Sequence, residues 1–420
     1  MRQLLIRVTS MKTLITATES LDPPLGGAEM SLMELARGVC RPGPTIVSAP
    51  DYVPLEPAEE ADVEEPWEVI SYFSSYHGRR TKSTEIDGLI KKTELFPVKG
   101  PLSFLGWRFK NRKSGRPNKF FFGMDLKMRN RRFEKWLSRE LQTVMSREGR
   151  LIGLTQLKWS AGAAEAFTKS GIPYILFVRD QTHFEYPEIF RKSVEGAEVV
   201  CGAGEGLINQ IKDLFDVKRV SNVPLPVNFD ERFGSKEEIE NAIASKVKNV
   251  NSRDEGRPRI AIVGITPEKG LKTYEKLIPR VAEDWPEAIF DVYGWKQKFL
   301  KKILSMPNVR FHGRVEAEDI FCKCDIQVIL TETTGSWGRV VSEAGIFGVP
   351  TVTNSVGSQP EAVGEGGLVV KNHRDLEEFS KALKTCYLQR EELGRLAESH
   401  CKVVDHRRAV AIFREVLESV

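Results

Sequence analysis

Ile260-Ala261-Ile262-Val263-Gly264-Ile265-Thr266-Pro267-Glu268-Lys269-Gly270 carries the reading of the fold. Its first four residues are apolar without alternation, the pattern of a strand buried on both faces, and Gly264 permits the tight turn that ends it. A helical period follows. Toward the C-terminus the same unit recurs at Ile289 to Val292, Val309 to His312, Ile326 to Leu330, Thr351 to Thr353 and Leu368 to Val370. Toward the N-terminus it recurs at Thr13 to Ala17, Thr45 to Ala49, Glu68 to Phe73, Leu151 to Thr155, Tyr174 to Val178 and Glu198 to Cys201. The first helix is expected over Ala28 to Val39, with Leu32, Leu35, Ala36 and Val39 on one face. Strands alternating with helices predict an α/β fold of doubly wound parallel sheets.

Two sets of strands imply two domains. Between them, Val223-Pro224-Leu225-Pro226-Val227-Asn228 holds two prolines that continue neither regular element, and Lys246 to Arg259 lacks apolar periodicity. The predicted domains are 1–227, with a basic insertion near 105–150, then 228–402, then a helix over 403–420 with Val403, Val410, Phe413 and Leu417 available for packing. A chain of 420 residues is long enough for each domain to bury its own core. Two such domains on a short hinge would face a central cleft lined by the C-terminal strand ends, where folds of this kind bind ligands.

Composition narrows the classes. With 41% apolar residues the chain is neither disordered nor collagenous. Six cysteines without a Cys-x-x-Cys pair are neither a disulfide framework nor a zinc signature, and no histidines share the His-x-x-x-His spacing. No metal site is expected. The apolar run at the N-terminus breaks at Arg7, and nowhere do about 18 apolar residues run together, so a cytoplasmic chain without a membrane span is expected. The net charge of +4 conceals a separation. Asp51 to Glu68 holds eight acids and no base, whereas Arg108 to Lys135 holds eleven bases against Asp125 and Glu134.

Three loops carry chemistry, each beside a plainer reading. Lys269 sits where its ammonium can reach a phosphate held at the following helix end, or is an ordinary solvated lysine. In Thr333-Thr334-Gly335-Ser336-Trp337-Gly338-Arg339-Val340-Val341-Ser342-Glu343-Ala344, the glycines let backbone approach a ligand and the helix start offers N–H groups to diphosphate oxygens. Glu343 there can accept from ribose hydroxyls, or only complement the helix dipole. The turn Gly26-Gly27-Ala28-Glu29 brings bare N–H groups toward the cleft, or is only a turn.

Together with His312-Gly313-Arg314-Val315, Gly348-Val349-Pro350 and Glu361 to Gly367, these segments fall in the order and approximate spacing of family 4 glycosyltransferases. The chain resembles a retaining, nucleotide-sugar-dependent enzyme of the GT-B fold, closely from Ile260 to Leu383 and more thinly before it. The resemblance implies that Glu343 holds the donor ribose and Lys269 its diphosphate. Gly338, Arg339 and Val340 would hold the sugar phosphate through backbone N–H groups, and Gly313 to Val315 the base. Gly27 would face the phosphate from the N-terminal domain, and the last helix would cross back onto that domain. A hexosyl-type transferase acting on an unknown saccharide or lipid-linked acceptor is implied, with a nucleoside diphosphate sugar as substrate and no metal or other cofactor.

The sequence departs from the family in three places. Gly335 stands where a second glutamate is usual, Ile265 follows Gly264 where an arginine is usual, and Arg179-Asp180-Gln181-Thr182-His183 replaces a segment that usually supplies a histidine. Asp180 and His183 are therefore the candidate catalytic groups, against the plainer reading of a structural ion pair. The departures also admit a degenerate GT-B protein that binds a nucleotide sugar or a partner without catalysis. The stretch 105–135, with aromatic residues among its bases, fits an anionic membrane surface and makes the protein peripheral at the inner face. A solvated insertion balanced by the acidic run competes with that reading, and nucleic acid is disfavoured.

Overall fold

The computed structural model describes residues 12–18, 27–41, 43–44, 63–64, 66–75, 84–86, 90–97, 118–147, 149–245, 256–332, 337–372 and 374–420, together with 105 and 108. The strand expected at 45–49, most of the acidic run, Gly26 and Thr333 to Ser336 lie outside these residues, as does the basic stretch before 118 apart from 105 and 108. The chain divides into two compact units, one of residues 1–202, 208–226 and 406–420, the other of 203–207 and 227–405.

The first unit is built on an eight-stranded sheet in the order β10-β9-β8-β7-β1-β4-β6-β5. Its strands are β1 (Lys12–Thr18), β4 (Glu68–Ser75), β5 (Thr84–Ile86), β6 (Ile90–Pro97), β7 (Arg150–Gln156), β8 (Tyr174–Phe177), β9 (Val199–Gly202) and β10 (Val220–Asn222). Every neighbouring pair is parallel except β5 with β6. A separate antiparallel pair joins β2 (Gly43–Pro44) to β3 (Val63–Glu64). The sequence reading missed β5 and β6, because Lys91-Lys92-Thr93-Glu94 has no continuous apolar run. Its helices are α1 (Gly27–Val39), α2 (Lys119–Val144), α3 (Ser160–Lys169), α4 (Thr182–Glu185), α5 (Pro187–Glu195) and α6 (Glu205–Leu214). The core beneath α1 joins Leu14, Leu32, Leu35, Ile152, Ile175 and Val199.

The second unit carries a six-stranded, fully parallel sheet in the order β13-β12-β11-β14-β15-β16. These strands are β11 (Arg259–Val263), β12 (Ile289–Tyr293), β13 (Val309–Gly313), β14 (Ile326–Ile329), β15 (Thr351–Asn354) and β16 (Gly367–Val370). Its helices are α7 (Phe229–Phe233), α8 (Lys236–Ser245), α9 (Leu271–Asp284), α10 (Lys301–Leu304), α11 (Ala317–Phe321), α12 (Arg339–Ile346), α13 (Gln359–Val363), α14 (Leu376–Leu388) and α15 (Arg390–Cys401). The run read as Ile260 to Val263 is thus the inner strand β11, and its neighbour β14, apolar but for Gln327, is fully buried.

The last helix differs from its expected span. A short turn over Lys402–Val404 ends at Asp405, whose extended backbone breaks the helical path, and α16 runs only over His406–Glu418. It returns to the first unit, as expected. Phe413 and Leu417 are fully buried in the core with Leu14 and Ile152, each such side chain contributing about 1.5–3 kcal/mol. A side chain at Gly38 of α1 would collide with Val410. The buried Arg414 guanidinium donates to the carbonyls of Gly38 (2.9 Å) and Arg41, closing the end of α1. Glu418 accepts from Lys12 at 2.7 Å and Arg150 at 3.0 Å.

Candidate functional site

In the second sheet the chain lays down β11, β12 and β13 toward one edge, then returns to place β14 on the other side of β11. The loops leaving β11 and β14 therefore diverge at a topological switch point, the place where open parallel sheets bind ligands beyond the C-terminal strand ends. These two loops carry Lys269 on one side and Gly338, Arg339 and Glu343 on the other.

Buried hydrogen bonds fix both loops. Tyr274 of α9 donates its hydroxyl proton to the Val328 carbonyl and accepts the Leu330 N–H, each at 3.0 Å. Asn354 at the end of β15 accepts the Thr331 N–H at 3.1 Å and donates to the Thr331 carbonyl at 2.6 Å. Glu332 N–H donates to the Glu268 carbonyl at 2.8 Å, tying one loop directly to the other. Gly270 starts α9 at φ 70°, and a Cβ there would stand 2.5 Å from that of Leu330. Only glycine combines that backbone with that approach.

Lys269 is exposed as a residue, yet enough protein gathers around its ammonium that desolvation lowers its pKa, with no carboxylate contributing. The nitrogen lies over Gly264, 3.5 Å from where a Cβ on that glycine would be. A cation partly screened from water, with no carboxylate shifting it, is suited to bind an anion.

Across the crevice, Gly338 precedes α12 with φ 80°. A Cβ there would come within 2.8 Å of the Gln359 Nε2, so a side chain is excluded by both backbone and space. Arg339 and Val340 open the helix, whose first N–H groups lack intrahelical acceptors. Glu343, one turn on, is buried; its Oε1 accepts from Arg339 Nε at 3.3 Å and forms an ion pair with Arg232 Nη1 at 2.9 Å. The carboxylate is thereby fixed in place. Arg232 was missed by the sequence reading, since it comes from α7, far from Glu343 in the chain, and belongs to no motif.

The third predicted loop follows β13. Gly313 has φ 77° with open space where a side chain would stand. Beneath it, the fully buried Asp291 accepts from both Arg259 Nε and Nη2 at 2.7 Å and lies 2.6 Å from His312 Nε2. His312 stacks on Tyr293 at 4.9 Å. Val315 is half-buried, and the exposed Trp295 stands under the Arg314 guanidinium at 5.5 Å.

The first unit holds the remaining candidates. Gly27 opens α1. Asp180 accepts the N–H of Thr182 at 3.0 Å and its hydroxyl at 2.9 Å, with His183 Nδ1 at 3.7 Å from its carboxylate. Burial acts to raise the Asp180 pKa, but His183, Lys158 and Thr182 together outweigh it and hold the carboxyl low. His183 is fully buried, 2.9 Å from the Ser160 hydroxyl through Nε2 and 4.6 Å from the Phe190 ring. The structure thus encloses the imidazole in the interior of the first unit. Arg179 is buried as well, its guanidinium over the Phe177 ring at 4.3 Å.

Residues 257–389 match the family described as glycosyl transferases group 1. A protein of the cps region of Klebsiella pneumoniae, described as an uncharacterized 41.2 kDa protein, is 25% identical over 125 residues, 29% of this chain and 35% of that relative. Sucrose-phosphate synthase from Thermosynechococcus elongatus matches with a TM-score of 0.68 at 12% identity, over 97% of this chain and 98% of its own. The α,α-trehalose 6-phosphate synthase of Burkholderia multivorans matches at 0.66 and 12% identity, over 97% of each chain. Anabaena Alr3699/HepE in complex with UDP-glucose matches at 0.63 and 13%, over 97% and 98%. The chain has the GT-B fold of these structures, and the residues that match the group 1 glycosyl transferases lie in its second unit, with the switch-point loops.

Proposed function

We propose that the chain transfers a hexosyl group from a nucleoside diphosphate sugar to an acceptor hydroxyl with retention at the anomeric carbon. The carrying observation is the desolvated Lys269 ammonium, free of any carboxylate that shifts it, at the switch point opposite the start of α12. As the bond between anomeric carbon and diphosphate oxygen breaks, charge builds on the leaving diphosphate. Lys269 and the N–H groups of Gly338, Arg339 and Val340 stabilise that charge without reorganising. Glu343 orients the ribose hydroxyls, and the Gly313 to Val315 loop takes the base. The new bond forms to the acceptor oxygen, whose proton is released. The complex of Anabaena Alr3699/HepE with UDP-glucose supports a nucleotide-sugar donor. We assign the acceptor, a saccharide or a lipid-linked one, to the first unit, and the protein to the cytoplasm.

The test is a screen of UDP-, GDP- and ADP-sugars against saccharide and lipid-linked acceptors, with the anomeric configuration of the product read by NMR. Transfer with retained configuration is expected. Donor binding without turnover for every pair would replace the enzyme by a binding protein, and an inverted product would overturn retention. Glu343→Ala should weaken donor binding in either case.

A further inference from the structure

The outward face of α2 has a composition that the sugar-transfer reading does not use. Between Asn118 and Leu141 the exposed residues are Lys119, Phe120, Met124, Lys127, Met128, Arg131, Arg132, Lys135 and Arg139. Each is a cation or a large apolar side chain, and none is acidic or neutral polar. Of the three acids of the helix, Asp125 is buried and paired with Arg129, Glu134 accepts from Lys169 at 2.9 Å, and Glu140 is half-buried.

The orientation is fixed from inside. Leu126, Phe133, Leu137 and Leu141 are buried, and the Asn130 amide donates to the carbonyls of Leu126 at 3.0 Å and Lys158 at 2.8 Å while accepting the Gly162 N–H at 2.7 Å. Phe120, Met124 and Met128 repeat every four residues along about 12 Å of the helix, at 69%, 43% and 37% exposure. Arg131 and Lys135 continue the same stripe, with Lys127, Arg132 and Arg139 beside it.

We propose that this face docks on an anionic phospholipid bilayer. Charge complementarity requires an anionic surface, and the apolar stripe among the cations requires one with an apolar layer just beneath its charges. A bilayer offers both at that spacing: phosphates for the ammonium and guanidinium heads, and the acyl boundary for Phe120 and the two methionines. A nucleic acid would meet the cations, but methionine has no aromatic ring on which its bases could stack. The proposal stands apart from the donor chemistry of the second unit.

The test is sedimentation of the full chain with phosphatidylcholine vesicles, with and without phosphatidylglycerol, at two salt concentrations. Pelleting only with phosphatidylglycerol, weakened by salt, is expected. Arg131→Glu with Lys135→Glu should weaken partitioning by at least roughly 25-fold, since each cation near an anionic leaflet contributes a factor of about five. Phe120→Ser with Met124→Ser should reduce the binding that survives at the higher salt. These four positions are exposed, so unchanged thermal unfolding will accompany each variant. No phosphatidylglycerol-dependent pelleting overturns the proposal, as does full retention by the charge-reversed variant. Equal capture by a single-stranded DNA, insensitive to Phe120→Ser, would replace the bilayer by a polyanion.

Discussion

Two strand-to-helix loops with similar sequences of charged and polar residues have opposite fates. After β8, Asp180 is spent on Thr182 and His183, while the buried Arg179 guanidinium lies over the Phe177 ring. His183 is spent in turn on Ser160, inside the first unit. After β11, Lys269 is partly stripped of water and no carboxylate compensates. The difference lies in whether neighbours within the fold consume the charge. A carboxylate held by its own loop is architecture, whereas a desolvated cation that no carboxylate shifts has an unmet demand that an anion can fill.

The largest expected effect is at the reserved charge. Lys269→Met should lower the turnover of any active donor by roughly 10²–10³, the usual cost of removing one preorganised donor to a developing anion. Because desolvation depresses this pKa, the unfolded chain holds the proton more tightly, so the ammonium opposes folding below its lowered pKa and releases that penalty as pH rises. The methionine variant should therefore unfold no more easily than wild type. Loss of activity together with loss of the fold would erase the contrast.

Gly338→Ala comes next. It places a Cβ at φ 80° against Gln359, with a strain cost of about 1–3 kcal/mol and a weaker donor affinity, measurable by calorimetric unfolding and titration. On the consumed side, His183→Ala should cost about 1–3 kcal/mol by leaving the buried Ser160 hydroxyl short of a partner, while the kcat and KM of the folded fraction stay at wild type. A loss of kcat with unchanged unfolding would return His183 to the chemistry and break the comparison. The smallest effect is expected at Asp180→Asn. Since the folded carboxyl is held below its ordinary 3.8, its stabilisation is present above that value and lost as pH falls through the folded pKa. The stability gap between wild type and variant should close in acid denaturation.

The sequence was most legible where chemistry is local. The inner strands β11, β14 and β15 are short runs rich in β-branched residues and announce themselves, and with them the switch point that places Lys269 and Gly338. Strand β6 did not, because Lys91 and Lys92 interrupt its apolar residues and its place is set by pairing with β4. At the site, glycines and Lys269 could be found from loop position alone. The Arg232 contact with Glu343 and the reciprocal Asn354 bonds could not, since each joins residues distant in the chain through side chains common in solvated helices and loops. The enclosure of His183 was equally hidden: nothing in Asp180 to His183 signals that Ser160 and Phe190 will close over the ring.

The return of α16 to the first unit sets an order of assembly during synthesis. Domains emerging from a ribosome generally fold in turn, N-terminal first. Here the first core lacks Phe413 and Leu417 until the whole second unit has been made, leaving Leu14 and Ile152 without part of their cover. The nascent first unit must wait, incomplete, until the thirteen-residue α16 has been made after the second unit. A chain stopped short of it keeps the switch-point loops and forfeits the stability of the unit made first.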